Sequence, residues 1–256
     1  MSIMNQMIQL SPIDEERFGI RTAKASIIEF KDIPDVMHFC EQLHVRFLIA
    51  RCPTSHLRTA QKMEKAGFLL MDTLLYYSKN LGDAHSDEHV SDDVIIRPVR
   101  MGDEQLIRLI SAESFKDYYG HYHSDERLDT YKCNEVYSDW AYKSCLSKDV
   151  ADEVLVAEDF GEIVGFATMK INSPAVGEGA LFGVAPHCQG KGIYRQLMVG
   201  GMHWCIEEGL ERMIVSTQVT NVAVQKVWSR LGFEPTHSYY TFHKWFGESN
   251  EDRFHE

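Results

Sequence analysis

The sequence predicts an α/β fold, and three observations carry that reading. Strand-like and helix-like segments mix along the chain without the even rhythm of a βαβ series. Two adjacent segments, "DEVLVAED" and "GEIVGFATMKI", form an antiparallel hairpin with Asp159, Phe160 and Gly161 near its turn. A block of strand, helix, Gly-Phe and strand with a double tyrosine occurs twice, which reads either as a degenerate internal repeat or as a coincidence of order.

The elements follow in order. "HVRFLIARC" reads as a strand. "TSHLRTAQKMEKAGF" reads as a helix, capped by Thr54 or Ser55 and stopped by Gly67. "LLMDTLLYYSK" returns as a strand. Residues 80–93, "NLGDAHSDEHVSDD", are polar and acidic and lie between two apolar-rich regions, as a linker would. "VIIRPVR" is a strand, and "GDEQLIRLISAESF" places Leu106, Leu109 and Ile110 at helical spacing. "LDTYKCNEVYSDWAYKSCL" is a second helix, with Trp140 read as core, and the hairpin follows. "GEGALFGVAP" is a strand ending at Pro186, followed by a glycine loop and a helix through about Gly209. The repeat closes the chain as strand "RMIVSTQV", helix "NVAVQKVWSRLGF" and strand "THSYYTFHKWF".

Composition narrows the function classes. The chain has 256 residues and a formal net charge of −12, which argues against a nucleic-acid partner. No apolar run reaches 18 residues, and the N-terminus lacks a basic stretch ahead of an apolar one. The expected location is the cytoplasm, without a membrane partner. The six cysteines form no CxxC pair and read as free thiols in a reducing compartment. A homodimer is left open.

The stretch "VAPHCQGKGIYRQL", residues 184–197, sets two glycines around a lysine ahead of a long helix. Glycines permit close backbone approach, and a helix N-terminus offers unpaired N–H groups to an anion. Gln189, Lys191 and Arg195 add donors. The loop is neither a Walker A nor a dinucleotide fingerprint, because Gly192 follows Lys191 and Arg195 stands where the latter needs glycine. The same glycines also suit a tight strand-to-helix turn.

With Gln189-Gly190-Lys191-Gly192-Ile193-Tyr194 after Val184, and Asn221 with "VWSRLGF" about thirty residues on, the sequence resembles the GNAT superfamily of acyl-CoA-dependent N-acetyltransferases. The resemblance covers roughly residues 94–247. It implies the GNAT fold, a mixed and mostly antiparallel central sheet with flanking helices. Residues 1–80 would be a smaller, partial GNAT-like α/β domain, 81–93 the linker and 248–256 a polar tail. The cosubstrate would be acetyl-CoA, with no metal. The backbone of Gln189, Gly190, Lys191, Gly192, Ile193 and Tyr194 would cradle its pyrophosphate. Gly183 and Val184 would splay from the neighbouring strand and bond the pantetheine arm, with Asn221 beside it. Tyr194 departs from the small residue of the motif. Asn221 equally reads as a helix N-cap. Gly200 and Gly201 each cost their helix about 1 kcal/mol relative to alanine, which close packing on the sheet would offset.

The fold does not choose the amine. The N-terminal layout and the aromatic segment before the Trp140 helix resemble the TDP-fucosamine (4-amino-4,6-dideoxygalactose) acetyltransferases of surface-polysaccharide synthesis, which implies a nucleotide-linked amino sugar. Tyr118, Tyr119, His121, Tyr122, His123 and Tyr131 form a dense aromatic, hydrogen-bonding set suited to sugar faces and hydroxyls. The same residues would also serve as an aromatic layer under the helix. A peptide or antibiotic amine, or a non-catalytic acyl-CoA-binding module, stands as the alternative.

The implied chemistry is direct attack of a neutral amine on the thioester, without an acyl-enzyme. Glu178, six residues before Val184, is the candidate base, with an ordinary solvent-facing role as its competitor. His121 or His123, near pKa 6.5 when unperturbed, is the substitute. The Val184 N–H would bind the oxyanion. Trp228 stands where many GNAT enzymes carry an acidic tyrosine, and indole cannot transfer a proton. Val224, Val227, Trp228 and Leu231 follow the apolar stripe of the helix, so Trp228 reads as packing. The thiolate's proton is then expected from the last strand, where alternation sets Tyr239 and His243 on one face and Tyr240 on the other, with packing tyrosines and a proton from water as the alternative.

Overall fold

The computed structural model describes residues 7–26, 29–83 and 94–247. The linker beyond Asp83 and the tail 248–256 lie outside them. The strands are β1 (Ile8–Leu10), β2 (Thr22–Ala25), β3 (Phe47–Pro53), β4 (Leu69–Asn80), β5 (Val94–Pro98), β6 (Glu153–Asp159), β7 (Glu162–Ser173), β8 (Val176–Val184), β9 (Arg212–Gln218) and β10 (Glu234–Trp245). The helices are α1 (Pro12–Phe18), α2 (Ile33–Gln42), α3 (Leu57–Lys65), α4 (Glu104–Ser114), α5 (Thr130–Leu146), α6 (Ile193–Glu207) and α7 (Val222–Arg230).

The chain forms two compact units. The first draws on Met1–Leu75, Tyr119–Lys132 and His237–Glu256; the second on Tyr76–Tyr118 and Cys133–Thr236. Neither is continuous in sequence, so a partition at the linker does not describe them. The 94–247 region gives residues 119–132 and 237–247 to the first unit.

In the first unit β2 runs parallel to β3 and antiparallel to β1, and β10 pairs antiparallel with β3 from Tyr239↔Pro53 to Trp245↔Phe47. Its core gathers Val36, Cys40, Leu48, Ala50, Met63, Phe68 and Phe242. In the second unit β5, β6, β7 and β8 are joined by antiparallel ladders, and β9 adds in parallel to β8. This is the mixed, mostly antiparallel sheet with flanking helices that the sequence predicts.

The two repeat blocks end their helices alike. Gly67 and Gly232 take φ of 78° and 77°, a left-handed conformation that favours glycine. The N–H of Phe68 then donates to Met63 O, and that of Phe233 to Trp228 O, both at 3.0 Å. These bonds satisfy carbonyls that the helix ends leave open. Both phenylalanines are buried, worth about 1.5–3 kcal/mol each. The closing strands are exchanged, however: β3 is bordered by β10, and β9 by β4.

Several local expectations change. The N-cap of α3 is His56, not Thr54 or Ser55, and it makes no side-chain capping bond. Thr54 instead meets Ser238 Oγ through its hydroxyl. On α4 the buried stripe is Ile107, Ile110 and Ser111, while Leu106 and Leu109 are exposed. The helix is rotated from the predicted face because Ile107 and Ile110, three apart, already make a core stripe. Strand β8 stops at Val184, and α6 stops at Glu207. Helices α1 and α2 are additional; Pro12 after Ser11 and the left-handed Gly19 were the readable signals of α1.

Candidate active site

The site of the second unit begins with a defect in β8. The β7–β8 register passes from Thr168↔Leu181 to Met169↔Gly179, leaving Ala180 as an extra residue, a β-bulge. The parallel ladder to β9 ends at the same place, with Gly179↔Val215 its last pair. Strand β8 continues to Val184 and β9 to Gln218 beyond that ladder. A bulge bends its strand, so β8 leaves β9 where the extra residue sits. Phe182 folds over this bend: a Cβ on Gly179 would lie 2.6 Å from its ring.

Past the bulge, the Ala185 N–H donates to Val164 O at 2.8 Å. Antiparallel alternation then turns the N–H and C=O of Val184 away from β7. The Val184 carbonyl accepts from Ser114 Oγ at 2.9 Å and from Gln189 Nε2 at 3.2 Å. The side chain of Gln189 thus ties the loop back to the strand. Gly183 is needed for another reason, since a Cβ there would lie 2.4 Å from Phe166.

The loop itself is open. Gln189, Gly190, Lys191 and Gly192 are exposed, and Ile193 anchors the start of α6 in the core. Gly190 and Gly192 take φ of 77° and 84°, and a Cβ on either would meet nothing within 4 Å. Their requirement is conformational, and the space before the loop is free. The first N–H groups of α6, a fifteen-residue helix, have no carbonyl one turn back. Farther along, a Cβ on Gly200 would lie 2.6 Å from Ile96, and one on Gly201 3.1 Å from Met169. Close packing of α6 on β5 and β7 explains both glycines.

Asn221 caps α7, accepting from the Val224 N–H at 3.4 Å and donating to Thr217 Oγ1 at 3.1 Å. Trp228 is buried and donates from Nε1 to Tyr194 Oη at 3.0 Å; its ring lies 5.3 Å from that of Tyr77. The Tyr194 ring lies 5.5 Å from Phe182. Glu178 sits two residues before the bulge, half-buried, and accepts from Asn172 Nδ2 at 2.7 Å.

The aromatic segment is divided. Tyr118 belongs to the second unit, in a cluster where Phe115 stacks on Tyr137 at 4.5 Å. Tyr119, His121, Tyr122, His123 and Tyr131 belong to the first. Tyr119 and Tyr131 are exposed. His123 lies in a turn, its Nδ1 accepting from the Gly120 N–H at 3.3 Å. Tyr122 is buried and donates to Asp14 Oδ1 at 2.7 Å, so its hydroxyl is spent inside the core instead of facing a sugar. Burial and then the Asp14 carboxylate push that phenol well above its usual range.

Sequence reasoning missed a relay in the first unit. Asp125, 4% exposed, accepts from His243 Nδ1 at 2.9 Å, Trp245 Nε1 at 2.8 Å and Arg127 Nε at 2.9 Å. Burial works to raise the Asp125 carboxyl, and these bonds outweigh it, holding it below the ordinary range. His243 Nε2 meets His121 Nδ1 at 2.9 Å. A charged Asp125 accepts a hydrogen bond from His243 Nδ1–H, so the Nε2 of the neutral ring accepts from His121 Nδ1–H, and His121 Nε2 keeps a lone pair. Burial lowers both histidines. Both nitrogens of His243 are therefore engaged, and it cannot orient Tyr239 as expected. Tyr240 packs on the core of the first unit beside Phe242. The residues of the relay lie on two distant stretches of sequence, 121–127 and 243–245, with no motif spacing, so only the fold assembles them.

A bulged strand, a diverging neighbour, a left-handed glycine loop and a helix N-terminus together make up the candidate site. Residues 112–233, just under half of the chain, match the model of the acetyltransferase (GNAT) family. The fold is shared with a GCN5-related N-acetyltransferase from Sphaerobacter thermophilus, at TM-score 0.64 and 15% identity, covering 94% of this chain and 77% of that one. A tandem GNAT protein from the clavulanic acid biosynthesis pathway aligns at TM-score 0.62 and 14% identity, covering 91% and 77%. In sequence, the mycothiol acetyltransferase of Amycolatopsis mediterranei (strain U-32) is 33% identical over 90 residues, 32% of this chain and 30% of that protein. The spore coat polysaccharide biosynthesis protein SpsD of Bacillus subtilis (strain 168) is 24% identical over 152 residues, 59% of this chain and 50% of that protein. The chain thus spans half or less of the length of these two relatives. No helix among the described residues is long and apolar enough to cross a membrane.

Proposed function

We propose that the protein transfers the acetyl group of acetyl-CoA to the primary amine of a small acceptor, by direct attack without an acyl-enzyme. The observation that carries this is the bulge at Ala180 and the loss of the β9 ladder beyond it, leading to an open left-handed glycine loop at the head of α6. The loop N–H groups from Gly190 to Tyr194 bind the pyrophosphate, as helix N-termini bind anions; that of Gln189 donates to Pro186 O at 3.3 Å. The freed edge of β8 from Ala180 to Val184, about 13 Å at 3.3 Å per residue, takes the pantetheine arm. Asn221 keeps one amide hydrogen uncommitted for that arm, since Nδ2 has two and Thr217 takes one. Glu178, two residues from the bulge, takes the amine's proton in this reading.

The acceptor we favour is a nucleotide-linked amino sugar, on the support of the longer match to a polysaccharide biosynthesis protein. The shorter matches to mycothiol acetyltransferases favour a second reading, an acceptor related to mycothiol. Thiol release from acetyl-CoA, measured across nucleotide-linked amino sugars, free amino sugars, mycothiol-related amines, peptides and aminoglycosides, separates them. Turnover is expected to be highest with a nucleotide-linked amino sugar. Robust turnover of peptides with none of any amino sugar would reject this acceptor.

A further inference from the structure

We propose that the Tyr194 hydroxyl is the acid that protonates the departing thiolate, with the Trp228 indole as its positioning partner. The inference rests on the acetyl-transfer reading and adds an acid to it. Four observations converge within the second unit. Tyr194 occupies the first turn of α6, directly after the glycine loop. Its ring lies 5.5 Å from Phe182, the side chain that folds over the bulge where β8 leaves β9. Its oxygen accepts from Trp228 Nε1 at 3.0 Å. Trp228 is itself fixed by burial, so the hydroxyl has a defined place.

The direction of the bond matters. Indole nitrogen only donates, so the Tyr194 oxygen must be the acceptor and its own hydrogen is free to point elsewhere. A phenol that accepts one hydrogen bond and keeps its proton is set up to donate. Burial raises the Tyr194 phenol and keeps it protonated across neutral pH, while the indole bond works in the opposite sense.

The step balances. The amine nitrogen forms its bond to the acetyl carbon, the C–S bond breaks, and the electron pair stays on sulfur. The Tyr194 proton passes to that sulfur, giving the free thiol. The amine's surplus proton goes to the base. The phenolate left behind is stabilised by the Trp228 N–H, and a charged acceptor makes that bond roughly twice as strong. It recovers its proton from the base or from water. Trp228 cannot transfer a proton, and here it does not need to.

The test uses the full chain with acetyl-CoA and the best amine of the panel. Tyr194→Phe is expected to lose about 10²–10⁴ in kcat. Coenzyme A affinity by calorimetry is expected to stay within about threefold, since the loop binds through its backbone. Trp228→Phe, which keeps a ring and loses the donor, is expected to lose about tenfold in kcat. Difluorotyrosine at position 194, a stronger acid of nearly the same shape, should move the basic limb of the kcat profile to lower pH; at Tyr142 it should not. That shift reports on the proton and decides the matter even if Tyr194→Phe folds poorly. Unchanged kcat in Tyr194→Phe, or an unmoved basic limb with the fluorinated residue, would overturn the assignment. Absence of acetyl-CoA binding by the wild-type chain would overturn the acetyl-transfer reading, and the acid role with it.

Discussion

Gly192 begins α6 in a left-handed conformation, at φ 84°, on the loop where the coenzyme phosphates are proposed to bind. A β-branched residue cannot take that conformation without strain. Gly192→Val is therefore expected to weaken coenzyme A binding at least tenfold, about 1.4 kcal/mol, by calorimetry on folded protein. Unchanged affinity would remove the loop from the proposed site. A second expectation concerns pH. His121 and His243 have folded pKa values below their ordinary ones, so the unfolded chain binds protons more readily as pH falls below about 6.5. Their contribution to stability is present above that pH and is lost beneath it. Asp125, also lowered, contributes above about pH 3.9 and loses its share only at lower pH. Melting temperature should drop between pH 7 and 5, and His121→Gln should roughly halve the drop. A drop of the same size in that variant would mean the relay is not the titrating group. The turn at Gly190 and Gly192 was legible because a left-handed turn at a helix start demands glycine locally. Asp125, His121 and His243 were not legible as a set, because their contacts span 118 and 122 positions.

At the scale of the element, the hairpin of β6 and β7 and the two Gly-Phe helix stops could be read from local rules. Phe160 and Gly161 both take positive φ, 48° and 86°, as a two-residue hairpin turn requires. The bulge at Ala180 could not be read, because a bulge is a mismatch in count between two strands and one strand's sequence does not show its partner. The α4 stripe failed for a related reason. Leucine at 106 and 109 gives the same spacing as isoleucine at 107 and 110, and only the packing chooses between them. Helix α6 offers a test of packing. Gly200→Val would drive a branched side chain into Ile96, already 2.6 Å from a bare Cβ. A loss of about 1–3 kcal/mol in denaturant unfolding is expected. Ile96→Ala in the same chain should recover part of it by opening space, and failure to recover any would show that another contact is limiting.

For the whole molecule, the exchange of closing strands is the feature the repeat did not announce. Both blocks read as strand, helix and strand, yet β3 takes its antiparallel neighbour from the far end of the chain. A fragment ending at residue 83 would leave that edge of β3 unpaired, along with the apolar surface that Phe242 covers. Such a fragment is expected to aggregate or stay unfolded by circular dichroism. A soluble, cooperatively melting fragment would show that β10 is dispensable to the first unit.

The same exchange sets an order in time. Roughly 190 residues separate Cys52 from its partner Tyr240. At about 5–20 residues per second, the ribosome delivers β10 some 10–40 s after β3 has emerged. The region made first is thus the last to be closed. For that interval its β3 edge is exposed to any other strand nearby, including that of a neighbouring nascent copy on the same message.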